Sequence, residues 1–324
     1  AAIERFSKLM AGPGSAQNQA AGEGGPVTWR SFSREWCEQK VSEIVDDSLK
    51  RMKGSGIASS KRFTALTVRL KRVVTRAVWL IAEHIRRSGF NPVDYEAGFG
   101  EGEKYPPIVI ELESGEKVRL MGRIDRIDAM ETEDGHYLRI IDYKSGSKDF
   151  RLSNVYYGLQ LQLITYMDAI WKDAGQDAAH PMLPGGMLYF RVDDPIIRSD
   201  GEVDEAEIEK AIMKQLKMKG LLLADVKLIR NMDREIDGAS QILPATLNKG
   251  DVLGKNSSVA TMEQFKLLRN YVQQLLKHIS REIIGGAVDI RPVKNREGTA
   301  CRYCSYLPIC QLDTVMKENS YRLL

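Results

Sequence analysis

The sequence lacks any long apolar run and any recognisable secretory signal. Its longest uninterrupted apolar stretch is AVWLIA at 77–82, far shorter than the ~20 residues that a helix needs to cross a bilayer. No basic segment followed by an apolar one stands at its start. We therefore expect no transmembrane helix, no membrane partner and a cytoplasmic location. The chain begins at Ala1 with AAIERFSKLM, which is typical of the middle of a helix, so we also expect a fragment of a longer protein.

Cysteine is scarce, and the charges of the chain nearly cancel. Four cysteines are few for a disulfide scaffold. A formal net charge of +3 neither requires nor excludes a nucleic-acid partner, because local patches decide such binding. Apolar residues make up 43% and charged residues 28%, which argues against a disordered or fibrous chain. Cys301, Cys304 and Cys310 stand within ten residues, and this spacing predicts metal or cluster ligation.

The first part of the chain has helical periodicity. Apolar residues recur at helical spacing over 32–52 and over 61–87. Residues 11–27, rich in glycine and proline, predict a linker before these helices. The helix at 61–87 also carries many basic residues, which indicate either a DNA-facing surface or a solvated helix face.

The period changes to that of β-strands from about Pro92. Residues 106–145 contain three β-rich runs joined by turns at Ser114-Gly115 and Asp134-Gly135, which predict an antiparallel meander. An amphipathic helix is then predicted to begin at a Ser153 or Asn154 cap. A strand at 185–192 and helices near 203–218 and 262–283 follow. This order of elements predicts a mixed α/β domain.

The stretch IIDYKSG at 140–146 places an acid and a lysine two residues apart at the end of a strand. Residues two apart in a strand share one face, so Asp142 and Lys144 project together. A hairpin symmetric about Asp134-Gly135 puts Asp125 opposite Lys144, on that same face. Asp128 is an odd number of residues from Asp125 and is expected on the other face.

Two carboxylates that converge from adjacent strands repel each other unless a cation lies between them. Hard oxygen ligands with open positions suit Mg²⁺ or Mn²⁺, and a neighbouring lysine can help deprotonate a water and stabilise negative charge on a phosphate. This is the equipment of phosphodiester hydrolysis, whereas the structural alternative is a buried Asp–Lys ion pair. Gln162 and Tyr166, at i and i+4 of the following helix, share a face and favour the catalytic interpretation over an ordinary polar one.

These residues resemble a known family. The order GRIDRID, IIDYKSG and GLQLQLITY is similar to that of the RecB-type branch of the PD-(D/E)XK nucleases, with Asp125, Asp142, Lys144, Gln162 and Tyr166 at matching positions. The motifs YYGLQLQ, GMLYF, KMKGLLL, CRYCSYLPIC and ENSYRLL extend the resemblance, over nearly the whole chain, to the C-terminal nuclease domain of the AddB family. Glu96 in VDYEAGFG matches a further acid of the family.

The resemblance implies a restriction-endonuclease-like α/β fold, a mixed sheet flanked by helices with a helical N-terminal part. We expect that part at 1–90, a nuclease core at 91–290 and a cysteine segment at 291–324. The implied function is an Mg²⁺-dependent exonuclease that acts on DNA, especially single-stranded ends, with an AddA-like helicase-nuclease subunit. The alternatives are a non-catalytic DNA-end-binding scaffold and a stand-alone repair nuclease.

Candidate DNA contacts lie near this predicted site. Arg123 shares the predicted face of Asp125 and is the first candidate for a phosphate contact. Tyr156 and Tyr157 are the candidates for stacking on bases.

Two motifs of the family have no counterpart in the sequence. The family places a Cys-Pro-Phe motif and a Gly-x-Leu-Phe-His helix upstream, and we expect Ala1 to follow that histidine. The resemblance implies that Cys301, Cys304 and Cys310 are three ligands of a [4Fe-4S] cluster whose fourth ligand is missing, so the expected cluster is incomplete. A labile cluster, a zinc with an outside ligand and no metal remain open. We interpret Cys37 as a core residue, and His84, His136, His180 and His278 as surface or core residues.

Overall fold

The computed structural model of the chain describes residues 2–11, 27–52, 60–173, 181–199, 201–295, 298–316 and 319–323. Most of the predicted linker at 11–27, and His180, lie outside these described residues. The described helices are α1 Ala2–Ala11, α2 Arg34–Met52, α3 Lys61–Arg86, α4 Leu152–Tyr156, α5 Gln162–Asp173, α6 Glu205–Gln215, α7 Val226–Met232, α8 Met262–Ile284 and α9 Leu307–Cys310. No described helix is long and apolar enough to span a bilayer.

The described strands vary from two to eleven residues in length. They are β1 Asn91–Phe99, β2 Ile108–Glu111, β3 Lys117–Leu120, β4 Gly122–Thr132, β5 Gly135–Lys144, β6 Met182–Arg191, β7 Lys219–Leu223, β8 Gly238–Ala239, β9 Thr246–Asn248, β10 Val252–Leu253, β11 Val259–Ala260, β12 Val293–Asn295, β13 Gly298–Thr299 and β14 Arg322–Leu323.

The chain forms two compact units, Ala1–Leu275 and Leu276–Leu324. The first contains a six-stranded sheet in the order β1-β4-β5-β6-β7-β11. The pairs β1–β4, β4–β5 and β6–β7 are antiparallel, whereas β5–β6 and β7–β11 are parallel. This mixed sheet with helices around it confirms the predicted fold class. The second unit contains the small sheet β13-β12-β14 and a 3₁₀ turn at Ala300–Tyr303. The division at 90 and 290 remains a prediction.

The predicted helices of the first part are present. α2 begins two residues later than predicted, and α3 spans nearly the whole predicted range, starting after a Ser60 side chain that accepts a hydrogen bond from the Phe63 amide. The second half of α3 buries a continuous apolar stripe that includes Val78 and Ile81, which anchors this helix in the core. The helices predicted near 203–218 and 262–283 correspond to α6 and α8.

The predicted three-stranded meander is wrong. β2 and β3 form their own two-stranded sheet around the predicted Ser114-Gly115 turn, and β4 pairs on its other side with β1. β1 is not evident in the sequence NPVDYEAGF, because its proline, acidic residues and glycine are uncommon in strands. Its pairing is stabilised by close packing of Phe99 against Gly122, where a Cβ would lie 2.7 Å from the ring.

The register of the β4–β5 hairpin also differs from the predicted one. Thr132 pairs with Gly135, so the turn consists of Glu133 and Asp134, one residue earlier than predicted. Gly135 is needed as the first strand residue because its φ is +129° and a Cβ would meet the Pro181 carbonyl oxygen at 2.4 Å. The change moves every partner by two residues, so each side chain keeps its face of the sheet.

The single helix predicted after β5 is interrupted. The N-cap residue of α4 is Arg151, and its side chain makes no capping hydrogen bond. The predicted cap at Ser153 or Asn154 is therefore wrong. Gly158, with a φ of +79°, ends this short helix, and α5 begins at Gln162. The apolar residues keep helical spacing across the break between α4 and α5, so the sequence pattern does not show where the backbone leaves the helix.

The core between β4 and β5 contains a buried ion cluster. Asp128, on the opposite face from Asp125, pairs with Arg126 at 2.6 Å and with Arg139 at 2.6 Å, and all three side chains are fully buried. Arg139 also lies 4.9 Å from the centroid of the Phe90 ring. One carboxylate therefore compensates two guanidinium groups that have no access to water.

We expect Asp128→Ala to destabilise the fold by about 3–5 kcal/mol, because two buried guanidinium groups lose their carboxylate partner. The free energy of unfolding by urea measures the change. Glu131→Ala is the matched control, since Glu131 is an exposed acid on the same strand. Equal stability of the two variants would show that the cluster contributes nothing.

Candidate active site

A chain of polar contacts connects the end of β5 with α5. Asp142 is only 2% exposed, and the Nζ atom of Lys144 lies 2.5 Å from its Oδ2 atom. The same Nζ atom donates a hydrogen bond of 2.9 Å to Oε1 of Gln162, whose Nε2 atom donates to the Tyr166 hydroxyl at 2.7 Å. Gln162 and Tyr166 stand on one face of α5 as predicted. This arrangement fixes the position of the Lys144 ammonium group beside a carboxylate.

Asp125 on β4 faces the same site. Extending the observed register places it opposite Asp142 and not opposite Lys144, and its Oδ2 atom accepts a hydrogen bond of 2.6 Å from the Tyr143 amide. Burial raises the pKa of Asp125 to about 6. The hydrogen bond from Tyr143 lowers this pKa, whereas repulsion from Asp142 and Glu96 raises it further. The pKa of Asp142 is also raised by burial, while Lys144 lowers it. The fold therefore holds carboxylates together at an electrostatic cost.

Glu96 supplies the third carboxylate, from β1. Its φ of +50° is in the left-handed region, a conformation that a residue other than glycine adopts at a cost of about 1–3 kcal/mol. The pairing of β1 with β4 continues on both sides of it, from Tyr95 with Arg126 to Ala97 with Ile124. Strain of this kind, maintained beside two other acids, is typical of functional sites.

Two of these acids, Glu96 and Asp125, open into a cleft of about 530 Å³. Glu96, Asp125, Tyr143 and Lys144 line it from the sheet. The other wall consists of residues of α1, α2 and α3, and it is largely apolar. The N-terminal helices thus form part of the site, which the sequence pattern did not indicate.

Asp125, which lines this cleft, and Asp142, which contacts Lys144 beside it, fit a small divalent cation. Among the described residues no group of three His, Cys, Asp or Glu side chains is arranged to hold a metal ion. Mg²⁺, however, is usually bound through one or two carboxylates with water and substrate phosphate completing its shell. Asp125 and Asp142 are hard oxygen donors of that kind, and a cation between them would relieve the repulsion that raises the pKa of Asp125.

Asp125→Asn is expected to stabilise the metal-free fold. Because the pKa of Asp125 is raised to about 6, ionisation of this group destabilises the native state above pH 6, and the penalty disappears as the pH falls towards 4. Asparagine retains an acceptor for the Tyr143 amide and removes the charge. We expect a gain of about 3 kcal/mol at pH 8, since the pKa lies roughly two units above its usual value and one pKa unit corresponds to ~1.4 kcal/mol.

Thermal unfolding in a chelator at pH 8 and at pH 4.5 tests this expectation. The stability gain should be full at pH 8 and reduced to about a third at pH 4.5, because the unfolded-state carboxyl is still mostly ionised there. Asp134→Asn, in the exposed β4–β5 turn, should behave as wild type at both pH values. A gain that is equal at both would show that the charge of Asp125 is not its cause.

The predicted DNA contacts lie on exposed surfaces. Arg123 is exposed, and its guanidinium group is 3.7 Å from Glu103. Tyr156 and Tyr157 are 59% and 41% exposed and make an edge contact with each other. Tyr156 also stacks on Tyr271 of α8, with ring centroids 5.6 Å apart and ring planes 9° apart. Tyr271 was missed in the sequence, because only the fold places it against Tyr156.

The basic face of α3 is partly structural. Arg72 and Arg76 both form ion pairs with Asp194, in the segment after β6. These two arginines therefore connect that segment to the helix, a role that neither sequence interpretation included.

The described cysteines are all free thiols. Cys37 is fully buried, and burial raises its pKa to about 12, which agrees with a core residue. Cys304 is exposed, whereas Cys301 and Cys310 are partly exposed. His84 is buried, and burial lowers its pKa well below the usual range.

Comparisons with known proteins match the fold to a family. The family model described as PD-(D/E)XK nuclease superfamily matches residues 2–311. The chain is 64% identical over its whole length to a protein of Acetivibrio thermocellus that is named as a subunit of an ATP-dependent helicase/deoxyribonuclease, and covers 27% of that protein. A protein of Ruminiclostridium cellulolyticum with the same name is 58% identical over 100% of this chain and 27% of its own length. Another, from Clostridium novyi, is 50% identical over 91% of this chain and 26% of its own length. The chain thus spans about a quarter of the length of these relatives.

Proposed function

Because the chain belongs to the PD-(D/E)XK nuclease superfamily, we propose that it is a metal-dependent deoxyribonuclease that hydrolyses phosphodiester bonds of unwound DNA. The observation that carries this proposal is the contact of Lys144 with Asp142 and Gln162 at a cleft also lined by Asp125. An ion pair with a purely structural role has no need of a second, half-buried acid and an accessible cleft. The strained Glu96 beside them supports the same function.

The chemistry assigns a role to each group. Asp125 and Asp142 would hold Mg²⁺ or Mn²⁺, which when bound polarises a phosphoryl oxygen and lowers the pKa of a water. Lys144 orients the attacking water and stabilises the negative charge that develops on the phosphate. Gln162 holds the Lys144 ammonium group through its carbonyl oxygen, and Tyr166 fixes the orientation of the Gln162 amide.

The relatives indicate the partner. They are named as subunits of an ATP-dependent helicase/deoxyribonuclease, and we propose that this chain likewise acts with an AddA-like helicase-nuclease subunit. Such a partner would deliver single-stranded ends to the cleft.

Incubation of the chain with end-labelled single-stranded DNA, with Mg²⁺ or with a chelator, tests the proposal. We expect cleavage that requires the metal and that releases short products from the ends. Tight binding of DNA ends without any cleavage, with Mg²⁺ as with the chelator, would favour the non-catalytic scaffold. Metal-dependent cleavage that an added helicase partner leaves unchanged would favour a stand-alone repair nuclease.

The exposed tyrosines are proposed to stack on bases. We expect Tyr271→Ala to weaken binding of single-stranded DNA by about 1–3 kcal/mol, the usual contribution of one stacked aromatic ring. Tyr271→Phe is the control, because it retains the ring and loses only the hydroxyl that donates to the Tyr156 carbonyl. Fluorescence anisotropy in a chelator measures both affinities, and equal affinities of the two variants would exclude stacking at this position.

The family resemblance assigns three cysteines to an iron-sulfur cluster. Cys301, Cys304 and Cys310 supply three free thiols. A [4Fe-4S] cluster requires four ligands. We therefore propose that these three thiols are one part of a ligand set whose remaining member is another residue.

A further inference from the structure

A second, small pocket lies next to Lys144, beside the end of β5. It is lined by the loop after β5, by β6 and by the segment that leads into β7. Its charged lining consists of five basic side chains and one acid; these are Lys144, Lys148, Arg191, Lys217, Lys219 and Asp149. The pocket adjoins the catalytic cleft, because Lys144 lines both.

Two of these cations have no acidic partner among the described residues. Lys144 pairs with Asp142, Arg191 pairs with Asp193, and Lys219 lies 3.9 Å from Asp149. Lys148 and Lys217 form no such pair, although both are only partly exposed. Burial lowers the pKa of each, and a neighbouring lysine lowers it further. The pocket therefore contains positive charge that the described protein does not neutralise.

Tyr189 lines the pocket and has a hydroxyl without a hydrogen-bond partner among the described residues. Its side chain is 2% exposed, and its buried hydroxyl has no hydrogen-bond partner within the described parts of the chain. The ammonium groups of Lys144 and Lys148 lie 5.7 Å and 5.2 Å from the centroid of its ring. Because Tyr189 pairs with Asp142 in the sheet, this hydroxyl is placed next to the catalytic strand. A buried hydroxyl without a protein partner is uncommon, and a water or a bound group can satisfy it.

The loop that carries Lys148 is held in place by a buried side chain. Gln160 is 5% exposed; its Nε2 atom donates to the Asp149 carbonyl at 2.7 Å, and its Oε1 atom accepts from the Arg151 amide at 3.0 Å. The pocket is therefore built by the fold before any ligand arrives.

We propose that this pocket binds a phosphate group of the DNA strand, adjacent to the phosphate that is cleaved. Lys148 and Lys217 supply the charge, and the Tyr189 hydroxyl donates the hydrogen bond. The inference rests on the proposed nuclease function and adds to it a subsite that fixes the register of the strand across Lys144. Two ammonium groups and one hydroxyl donor suit the tetrahedral oxygens of a phosphate better than they suit a nucleobase or a carboxylate.

The experiment measures binding of short single-stranded oligonucleotides in which one phosphate at a time is replaced by a neutral methylphosphonate. Fluorescence anisotropy in a chelator is used, so that binding is observed without cleavage. Wild type, Lys217→Gln, Tyr189→Phe and the control Lys249→Gln are compared. Lys249 is exposed between β9 and β10 and does not line the pocket. Tyr189→Phe removes only a hydroxyl that has no partner among the described residues, so its fold should remain intact.

We expect one position at which the neutral linkage weakens binding to wild type and to the control by about tenfold. The two pocket variants should bind the unmodified strand about tenfold more weakly and lose sensitivity at that position. Lys217→Gln should also reduce the slope of log K against log salt by ~0.7, the value for one phosphate on a single strand.

Two outcomes would overturn the proposal. If the neutral linkage weakens binding equally in all four proteins, the pocket does not contact the strand. Inorganic phosphate could compete with DNA for binding to wild type and compete less well in the Lys217 and Tyr189 variants. If no methylphosphonate position then weakens DNA binding, the pocket binds free phosphate and not the strand. If the expected methylphosphonate sensitivity is found but the chain does not cleave DNA, the proposed nuclease function is rejected and the phosphate-binding pocket is retained.

Discussion

Asp142→Ala is expected to abolish metal-dependent cleavage of single-stranded DNA, with a loss on the order of 10³-fold, the usual consequence of removing a charge-stabilising group from an active site. The substitution removes one of the two proposed metal-binding carboxylates and the acid that lies 2.5 Å from the Lys144 ammonium group. The fold should remain intact, because ionised Asp142 is disfavoured by burial and its removal relieves repulsion with Asp125.

The measurement is the initial rate of release of label from single-stranded DNA at saturating Mg²⁺, together with the thermal midpoint in a chelator. Asp134→Ala is the control, since this acid lies at the opposite end of the same hairpin and is exposed. The control should cleave as wild type. Retention of wild-type cleavage by Asp142→Ala would remove this residue from the proposed catalytic set.

Lys144→Ala is expected to reduce turnover by about 10²–10³-fold while metal affinity changes little. The reason is that the ammonium group acts on charge that develops in the transition state and is not a metal ligand. Lys144 is also anchored by Gln162 and by Asp142, so its position is fixed before the substrate binds. Loss of this group should therefore lower kcat with only a small change in KM.

Cleavage rates over a range of DNA concentrations separate kcat from KM, and titration with Mn²⁺ gives the metal affinity. Gln162→Ala should have a smaller effect of the same kind, because it only positions the lysine. Weaker metal binding with unchanged turnover in Lys144→Ala would assign the lysine to the metal site and not to the chemical step.

Local patterns were sufficient to place the proposed reacting groups on their faces. A strand repeats every two residues and a helix every 3.6, so Asp142 with Lys144 and Gln162 with Tyr166 could each be assigned to one face without knowing their neighbours. Asp125 could be assigned to the same face because the error in the hairpin turn moved the register by an even number of residues. A shift of one residue would have placed Asp128 in the cleft.

The long-range pairings could not be read in this way. β1 has the composition of a loop, and it becomes a strand because β4 offers an edge on which Phe99 packs against Gly122. That pairing brings Glu96 next to Asp125. The break between α4 and α5 likewise depends on the φ of Gly158, which a helical pattern of apolar residues does not report.

The sequence by itself determined the candidate reacting groups of this protein, and the tertiary structure decided their surroundings. Residue types and short spacings specify which carboxylates and which lysine are the candidates, because these lie within single elements whose geometry is regular. The second pocket combines Lys148, Tyr189 and Lys217 from three distant segments, and the stacked pair combines Tyr156 with Tyr271. Such contacts arise from strand order and helix packing, which depend on the burial of the whole core and not on any local repeat.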